Sequence, residues 1–192
     1  MQVRGKHAYR ILLATLFLGG ASGAAAVYVG PAAVMGPSFA EIHGVDCSTV
    51  ASVKATDGHG LVIRQFVVAN ADDDIARFRT ALRVAEAVRR EQSPHLVQVS
   101  VVDGNGPNLL SAMRGRAIGA KVTLIGDPAT DVETQAGAAS GFSIRGPAGL
   151  DGAFYGIRLE AMPEDMERMS ARLAEGSGCS EPTVASPTAP DA

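Results

Sequence analysis

The chain has 192 residues, of which 17 are basic and 20 acidic, so its formal charge is −3, and it contains no tryptophan. This length is ample for one domain with its own hydrophobic core. The acidic balance and the missing tryptophan argue against a nucleic-acid-binding protein, which needs a basic surface and aromatic side chains on which bases stack.

The first 35 residues have the pattern of an export signal. Met1–Arg10 carries three cations, Ile11–Leu18 is strongly apolar, and Gly19–Ala26 consists mostly of small residues. This order is typical of a secretory signal peptide that is removed after the small residues. An uncleaved signal-anchor helix is the alternative, because residues 11–35 carry no charge over a length that can cross about 30 Å of hydrocarbon.

Both interpretations place the rest of the chain outside the cytoplasm, because the basic N-terminal end stays on the cytoplasmic side. We therefore expect a protein held on the periplasmic side of the bacterial inner membrane through residues 11–35, or a soluble periplasmic protein if the leader is cleaved. Export also favours oxidation, so Cys47 and Cys179 are predicted to form a disulfide bond rather than remain two unrelated thiols.

Composition divides the remainder of the chain into three segments. Residues 36–44 are predicted to be a linker and residues 45–179 an α+β domain. Residues 180–192 contain three prolines and almost no bulky apolar side chain, so they are predicted to form a disordered tail.

The best-specified part of the domain is a strand, a helix and a second strand. Leu61–Ala69 has apolar residues in both alternating positions, which indicates a strand covered on both faces. Three aspartates at 72–74 favour a helix N-terminus, and Ser93-Pro94 ends the helix. His95–Val102 then predicts a second strand, parallel to the first.

The helix between these strands carries two periodic sets of residues. An apolar stripe at helical spacing is formed by Ile75, Phe78, Leu82, Ala85 and Val88. Charged residues fall on another face, at Arg79, Arg83, Glu86 and Arg90. This pattern predicts an amphipathic helix with its stripe toward the core.

Shorter elements lie on either side of this unit. Val45–Thr56 and the turn at 57–60 predict a hairpin that leads into it. The glycine-rich segment 129–152 is predicted to be a mobile loop, or else a functional one. The other predicted elements are a glycine turn at 103–108, a short helix at Leu109–Arg114, strands at Lys121–Gly126, Phe142–Arg145 and Ala153–Ala161, and a final helix from Pro163 to Gly176 or Gly178.

Together these elements predict an α+β fold. We expect one mixed β-sheet of about five strands, with two main helices on one face, preceded by an N-terminal hydrophobic helix in residues 1–35.

The sequence contains no motif that assigns catalytic chemistry or a cofactor. The histidines, at positions 7, 43, 59 and 95, lack the close spacing of zinc ligands, and the two cysteines are far apart. The glycine turn at 103–108 fails the pattern of a phosphate-binding loop. No catalytic residue, cofactor or metal ligand is therefore predicted.

Two hypotheses for function remain. The first is a protein-interaction or assembly module of the bacterial envelope, whose partners are other envelope proteins. The basic segment Met113–Lys121 is either a solvated connection or a contact for an anion or partner. The alternative is a small, hydrolase-like periplasmic enzyme with a site near Gly104–Asn108 and the 129–152 loop, where His95 and Asp103 would converge. The absence of catalytic motifs favours the non-enzymatic hypothesis.

Overall fold

A computed structural model describes residues 38–125, 139–173 and 177–180. All of these except Ser38 belong to one compact unit, Phe39–Ala192. The predicted N-terminal helix and all of the predicted tail except Ser180 lie outside the described residues.

A single mixed sheet of six strands forms the centre of the domain, in the spatial order β1-β2-β3-β4-β5-β6. Only β2 and β3 run parallel, and every other neighbouring pair is antiparallel. The strands are β1 (Ser48–Asp57), β2 (Gly60–Val68), β3 (Leu96–Val102), β4 (Ile118–Ile125), β5 (Ala139–Ile144) and β6 (Arg158–Glu160). This confirms the predicted fold class, with one strand more than expected.

Within the residues that the structure describes, three α-helices accompany the sheet: α1 (Phe39–His43), α2 (Asp74–Gln92) and α3 (Pro163–Ser170). The short helix predicted at Leu109–Arg114 is a 3₁₀ turn, Leu110–Ala112, and a second 3₁₀ turn follows it at Gly115–Ala117. Helix α1 lies within the segment predicted to be a linker. It contacts α2. The two residues that follow α1 also lie on α2: Gly44 packs against Thr80, and the Val45 N–H donates to the Thr80 hydroxyl at 2.9 Å.

The predicted strand–helix–strand unit is confirmed as β2, α2 and β3. The Asp73 carboxylate caps α2 by accepting from the Ala76 N–H at 2.9 Å. Ser93 ends the helix in the left-handed conformation, with φ of 44°, immediately before Pro94. The helix lets the chain cross over the sheet, so β3 adds parallel to β2.

The hydrophobic core lies between α2 and one face of the sheet. Strand register aligns Ile63 with Val97, and Val97 with Leu124, so three neighbouring strands present aliphatic side chains to the helix. Phe78 and Leu82 of α2 are buried against them. The buried core residues of β2, β3 and β4 are Ile63, Val67, Val97, Val99, Val101, Ala120, Val122 and Leu124.

Helix α2 is covered on more sides than its apolar stripe predicts. Ile75, the first residue of the stripe, is 49% exposed, whereas Arg83 and Glu86 of the charged face are buried. The reason is that other elements pack on that face: Arg83 donates to the His43 carbonyl, and Glu86 accepts from the Ser170 hydroxyl. Burying a charged group costs little only when such partners satisfy it.

Several element bounds in the second half differ from the sequence-based prediction. Strand β4 begins three residues earlier than expected, and α3 ends at Ser170 rather than near Gly176. The predicted strand at 153–161 shortens to Arg158–Glu160, because residues 145–157 form an irregular connection. Within the predicted mobile loop, residues 139–144 form β5.

Candidate functional site

Strand directions bring two irregular connections to the same end of the sheet. One joins β3 to β4 and spans residues 103–117, and the other joins β5 to β6 and spans residues 145–157. Because β4 is antiparallel to both β3 and β5, the ends of those two strands lie at the start of β4. We call residues 103–117 and 145–157 together the loop surface.

The two connections touch each other directly. The Phe154 N–H donates to the Arg116 carbonyl at 2.7 Å. Gly152 has a positive φ of 69°, and a Cβ there would collide with the backbone of Gly106. Only glycine therefore allows both the backbone conformation and the close approach of the two loops.

A buried arginine fastens the loop surface to the rest of the domain. Arg77, in the first turn of α2, donates to the carbonyls of Ile144 and Gly146, each at 2.6 Å, and also to the Ala71 carbonyl. Its guanidinium lies 4.8 Å from the centre of the Phe154 ring. Burial lowers the pKa of Arg77, and the nearby aspartates at 72–74 and 103 oppose that shift.

Tyr155 is held in place at the rim of this surface. Its hydroxyl donates to the Asp151 carboxylate at 2.5 Å, and the Arg116 guanidinium lies 4.9 Å from its ring centre. The hydrogen bond from Tyr155 lowers the pKa of Asp151, and the same bond raises the pKa of Tyr155. At neutral pH the pair is therefore a phenol and a carboxylate, which orients the ring but provides no activated nucleophile.

Exposed apolar side chains concentrate on the loop surface. It holds five of the ten large apolar side chains that are exposed in the described part of the chain: Leu109, Leu110, Leu150, Tyr155 and Ile157. Leu109 is 71% exposed, Ile157 is 68% exposed, and Leu150 has no burial at all. Single exposed apolar residues are ordinary on a protein surface, whereas large contiguous apolar patches are typical of interaction sites.

Three arginines share the same loops. Arg114 and Arg116 belong to the first connection and Arg145 to the second, and all three are exposed. Arginine and tyrosine, together with tryptophan, are enriched at the energetically important positions of protein interfaces. Residues 113–117 of the basic segment Met113–Lys121 belong to this surface, whereas residues 118–121 lie in β4.

The site of the alternative hypothesis is only partly assembled. Gly152 lies against Gly106, so the end of the 129–152 loop does meet the turn Gly104–Asn108. A hollow of about 270 Å³ adjoins that turn. However, Asp103 caps its own turn by accepting from the Asn105 N–H at 2.9 Å.

The predicted convergence of His95 with Asp103 is wrong. His95 precedes the seven-residue strand β3 and Asp103 follows it, so roughly 26 Å of extended chain separates them. His95 stacks instead on His59, with ring centres 5.4 Å apart, at the opposite end of the sheet.

Asp57 lies near that histidine pair, but it serves the hairpin turn. Its carboxylate accepts from the N–H groups of His59 and Gly60, and the bond from His59 is the main reason that the pKa of Asp57 is lowered. No group of three or more metal-binding side chains occurs within residues 38–125, 139–173 and 177–180.

The predicted disulfide between Cys47 and Cys179 is present. It joins the residue before β1 to the segment that follows α3. No helix in the described part of the chain is long and apolar enough to span a bilayer, and the predicted membrane segment, residues 11–35, lies outside that part.

The sequence did not predict that three residues of the loop surface would be exposed together on it. Leu150, Tyr155 and Ile157 were expected in a loop or in a strand that proved shorter. The run Gly149-Leu150-Asp151-Gly152 contains the available signal, since a large apolar residue between turn-forming residues has no core to enter.

Comparisons with known proteins found no matching family model, no matching curated protein and no matching solved structure.

Proposed function

We propose that this chain is an exported envelope protein whose α+β domain binds another envelope protein through the loop surface. Residues 11–35 hold it on the periplasmic side of the bacterial inner membrane, unless cleavage releases it into the periplasm. The observation that carries the proposal is the concentration of five exposed apolar side chains on two connections that buried contacts fix in place.

Energetics favour a protein partner for this surface. Burial of one leucine or isoleucine side chain stabilises a complex by about 1.5–3 kcal/mol before the costs of association. Leu150 is fully exposed in the free domain, and Leu109 and Ile157 are 71% and 68% exposed, so most of that gain is still available. Arg77 and the Gly106–Gly152 contact hold the loops in one arrangement, which reduces the entropy lost on binding.

The disulfide is compatible with the proposed location. Disulfide bonds persist in oxidising compartments such as the bacterial periplasm. Fractionation of cells tests the location directly: the protein should resist protease in intact cells and be degraded once the outer membrane is opened. Recovery of the chain in the cytosol with Cys47 and Cys179 reduced would overturn this part of the proposal.

Site-specific photo-crosslinking tests the surface. A photoreactive amino acid replaces Leu150, and in a second variant Ile157, in the full chain expressed in its bacterial envelope. We expect one discrete cross-linked protein species from both positions. The matched control replaces Met162, which is also exposed but lies outside the loop surface, and should give no such species.

Charge substitution provides a second readout. Leu150→Asp should abolish the cross-link from position 157 without lowering the melting temperature, because Leu150 has no contacts to lose in the free domain. Equal cross-linking from positions 150, 157 and 162, or products with lipid alone, would contradict a protein-binding role for the loops.

A further inference from the structure

We propose that the outer edge of β1 is a second binding site, which accepts an extended strand from another polypeptide. This inference goes beyond the loop surface and does not depend on it. Strand β1 is the edge strand of the sheet, ten residues long, and its residues 52–57 are all exposed. An open edge of that length is a template for strand addition.

The edge already pairs with one residue of the same chain. Ser180 forms a parallel bridge with Ser48: the Thr49 N–H donates to the Ser180 carbonyl at 3.0 Å, and the Ser180 N–H donates to the Cys47 carbonyl at 3.1 Å. The disulfide at Cys179 holds this residue against the start of β1. These bonds show that the edge is geometrically competent to receive a strand.

The chain's own tail is a poor candidate for the rest of the edge. Pro182 follows the bridge by two residues, and Pro187 and Pro190 come later. Proline has no N–H to donate and cannot extend a regular ladder. Among the residues that the structure describes, none but Ser180 forms a bridge with β1 on the side away from β2.

The register of the β1–β2 hairpin shows which backbone N–H and C=O groups of β1 do not bond to β2. Asp57 pairs with Gly60 across a two-residue turn, and in antiparallel strands bonded and non-bonded positions alternate from that pair. Val53 and Ala55 therefore bond to β2. Ser52, Lys54 and Thr56 direct their backbone N–H and C=O groups outward, where an added strand would meet them.

A groove borders this edge on the helix side. Its volume is about 610 Å³, and its lining includes Ser52 and Lys54 of β1, together with Ala87, Val88 and Glu91 of α2. An added strand would place every second side chain along the open side of this groove. The aliphatic part of the wall suits a valine or isoleucine of the partner.

The positive charge of Lys54 favours a partner strand that carries an acidic residue. In residues 50–57 this lysine is near the centre and is the only basic side chain. Pairing of this edge with itself, in a second copy of the protein, would bring the two lysines close together and is disfavoured. A partner strand with a central acidic residue would instead form a favourable cross-strand pair. The expected occupant is thus an extended, mainly β-branched segment with an acidic residue at its centre.

Two synthetic peptides probe the site on the full chain purified in detergent. Both are nine residues of alternating valine and threonine, one with a central aspartate and the other with a central lysine. We expect hydrogen exchange to slow at residues 50–57 when the aspartate peptide is added, while residues 109–116 remain unchanged. The aspartate peptide should bind about threefold to fivefold more tightly than the lysine peptide, which is the effect of one cross-strand charge pair.

Substitutions sharpen this test. Lys54→Glu should reverse the peptide preference, whereas Arg64→Glu, at an exposed position of β2, should not. Ser52→Pro removes an outward N–H without deleting a bond to β2, and it should weaken binding of both peptides. Leu150→Asp should leave peptide binding unchanged, so failure of this site and failure of the loop surface are separable.

The remaining outcomes each overturn the proposal. Protection of residues 50–57 without peptide, lost when the chain is truncated after Ser180, would identify the tail as the occupant. Protection that rises with protein concentration would identify a second copy. No change in exchange with either peptide, in a chain whose melting temperature is normal, would exclude strand addition at β1.

Discussion

Tyr155 shows how one hydrogen bond sets the protonation of two groups. Its hydroxyl donates to Asp151, so the pKa of the phenol is raised and the pKa of the carboxyl is lowered. The phenol favours folding at every pH below its ordinary pKa of about 10. That contribution disappears as the pH rises through the raised pKa of the folded state.

The carboxyl of Asp151 has the opposite pH dependence. Its contribution is present above the ordinary pKa of aspartate, about 3.9, and disappears as the pH falls through the lowered pKa. Between the ordinary pKa values of aspartate and tyrosine, both groups favour the folded loop. The hydrogen bond between them therefore stabilises the loop across the neutral pH range.

Asp151→Asn should lower the pKa of Tyr155 toward 10, because it removes the negative charge that opposes ionisation of the phenol. Tyr9→Phe and Tyr28→Phe leave Tyr155 as the only tyrosine in a chain without tryptophan, so absorbance titration reports it alone. Arg116→Gln should move the pKa in the other direction, since Arg116 lowers it. An unchanged titration in Asp151→Asn would show that the hydrogen bond is absent in solution.

At the scale of elements, α2 contacts both of the other described helices and the strands β3, β4 and β5. Its apolar stripe from Phe78 onward packs on the sheet, while Arg83 on another face joins α2 to two separate segments, residues 43–45 and residues 177–178. The guanidinium donates to the carbonyls of His43 at 2.9 Å, Val45 at 2.7 Å and Ser177 at 2.9 Å. Burial lowers the pKa of Arg83. The guanidinium nevertheless keeps its positive charge at neutral pH, because arginine is not deprotonated in proteins.

Arg83→Met should destabilise the domain by about 3 kcal/mol. Methionine keeps much of the buried volume but leaves three carbonyl oxygens without the donors of a charged group. Chemical denaturation of the disulfide-intact protein measures the loss, and Arg79→Met, at a more exposed position of the same helix, should cost less than about 1 kcal/mol. Equal losses in the two variants would mean that water replaces the arginine as donor.

Local periodicity predicted the elements but not what packs beside them. The step of Ile75, Phe78 and Leu82 identifies a helix, and the stop at Ser93-Pro94 is encoded by adjacent residues. That Arg83 is buried depends on α1 and on residues 177–180, which are distant in sequence. The exposure of Leu150 likewise depends on a contact between residues distant in sequence, because it follows from the packing of Gly152 against Gly106.

At the scale of the whole molecule, the disulfide closes the domain. Cys47 precedes the first strand and Cys179 follows the last helix, 132 residues later. The export pattern and the cysteine count together predicted this bond, whereas the seating of Ser180 on the edge of β1 was not predictable from sequence. Bond and bridge together place residues 177–180 beside the groove that we assign to a partner strand.

Replacement of both cysteines by serine should cost up to about 5 kcal/mol, because the unfolded chain regains the conformations that a loop of this length forbids. That is a large share of the 5–15 kcal/mol that stabilises a typical domain. Hydrogen exchange should also quicken at residues 47–49, where the Ser180 pairing is no longer tethered. The matched control is the unaltered protein in excess reductant, which should give the same midpoint in urea as the double variant. If both retain the stability of the oxidised protein, then the ends of the domain are held by Arg83 and the strand bridge, and not by the covalent bond.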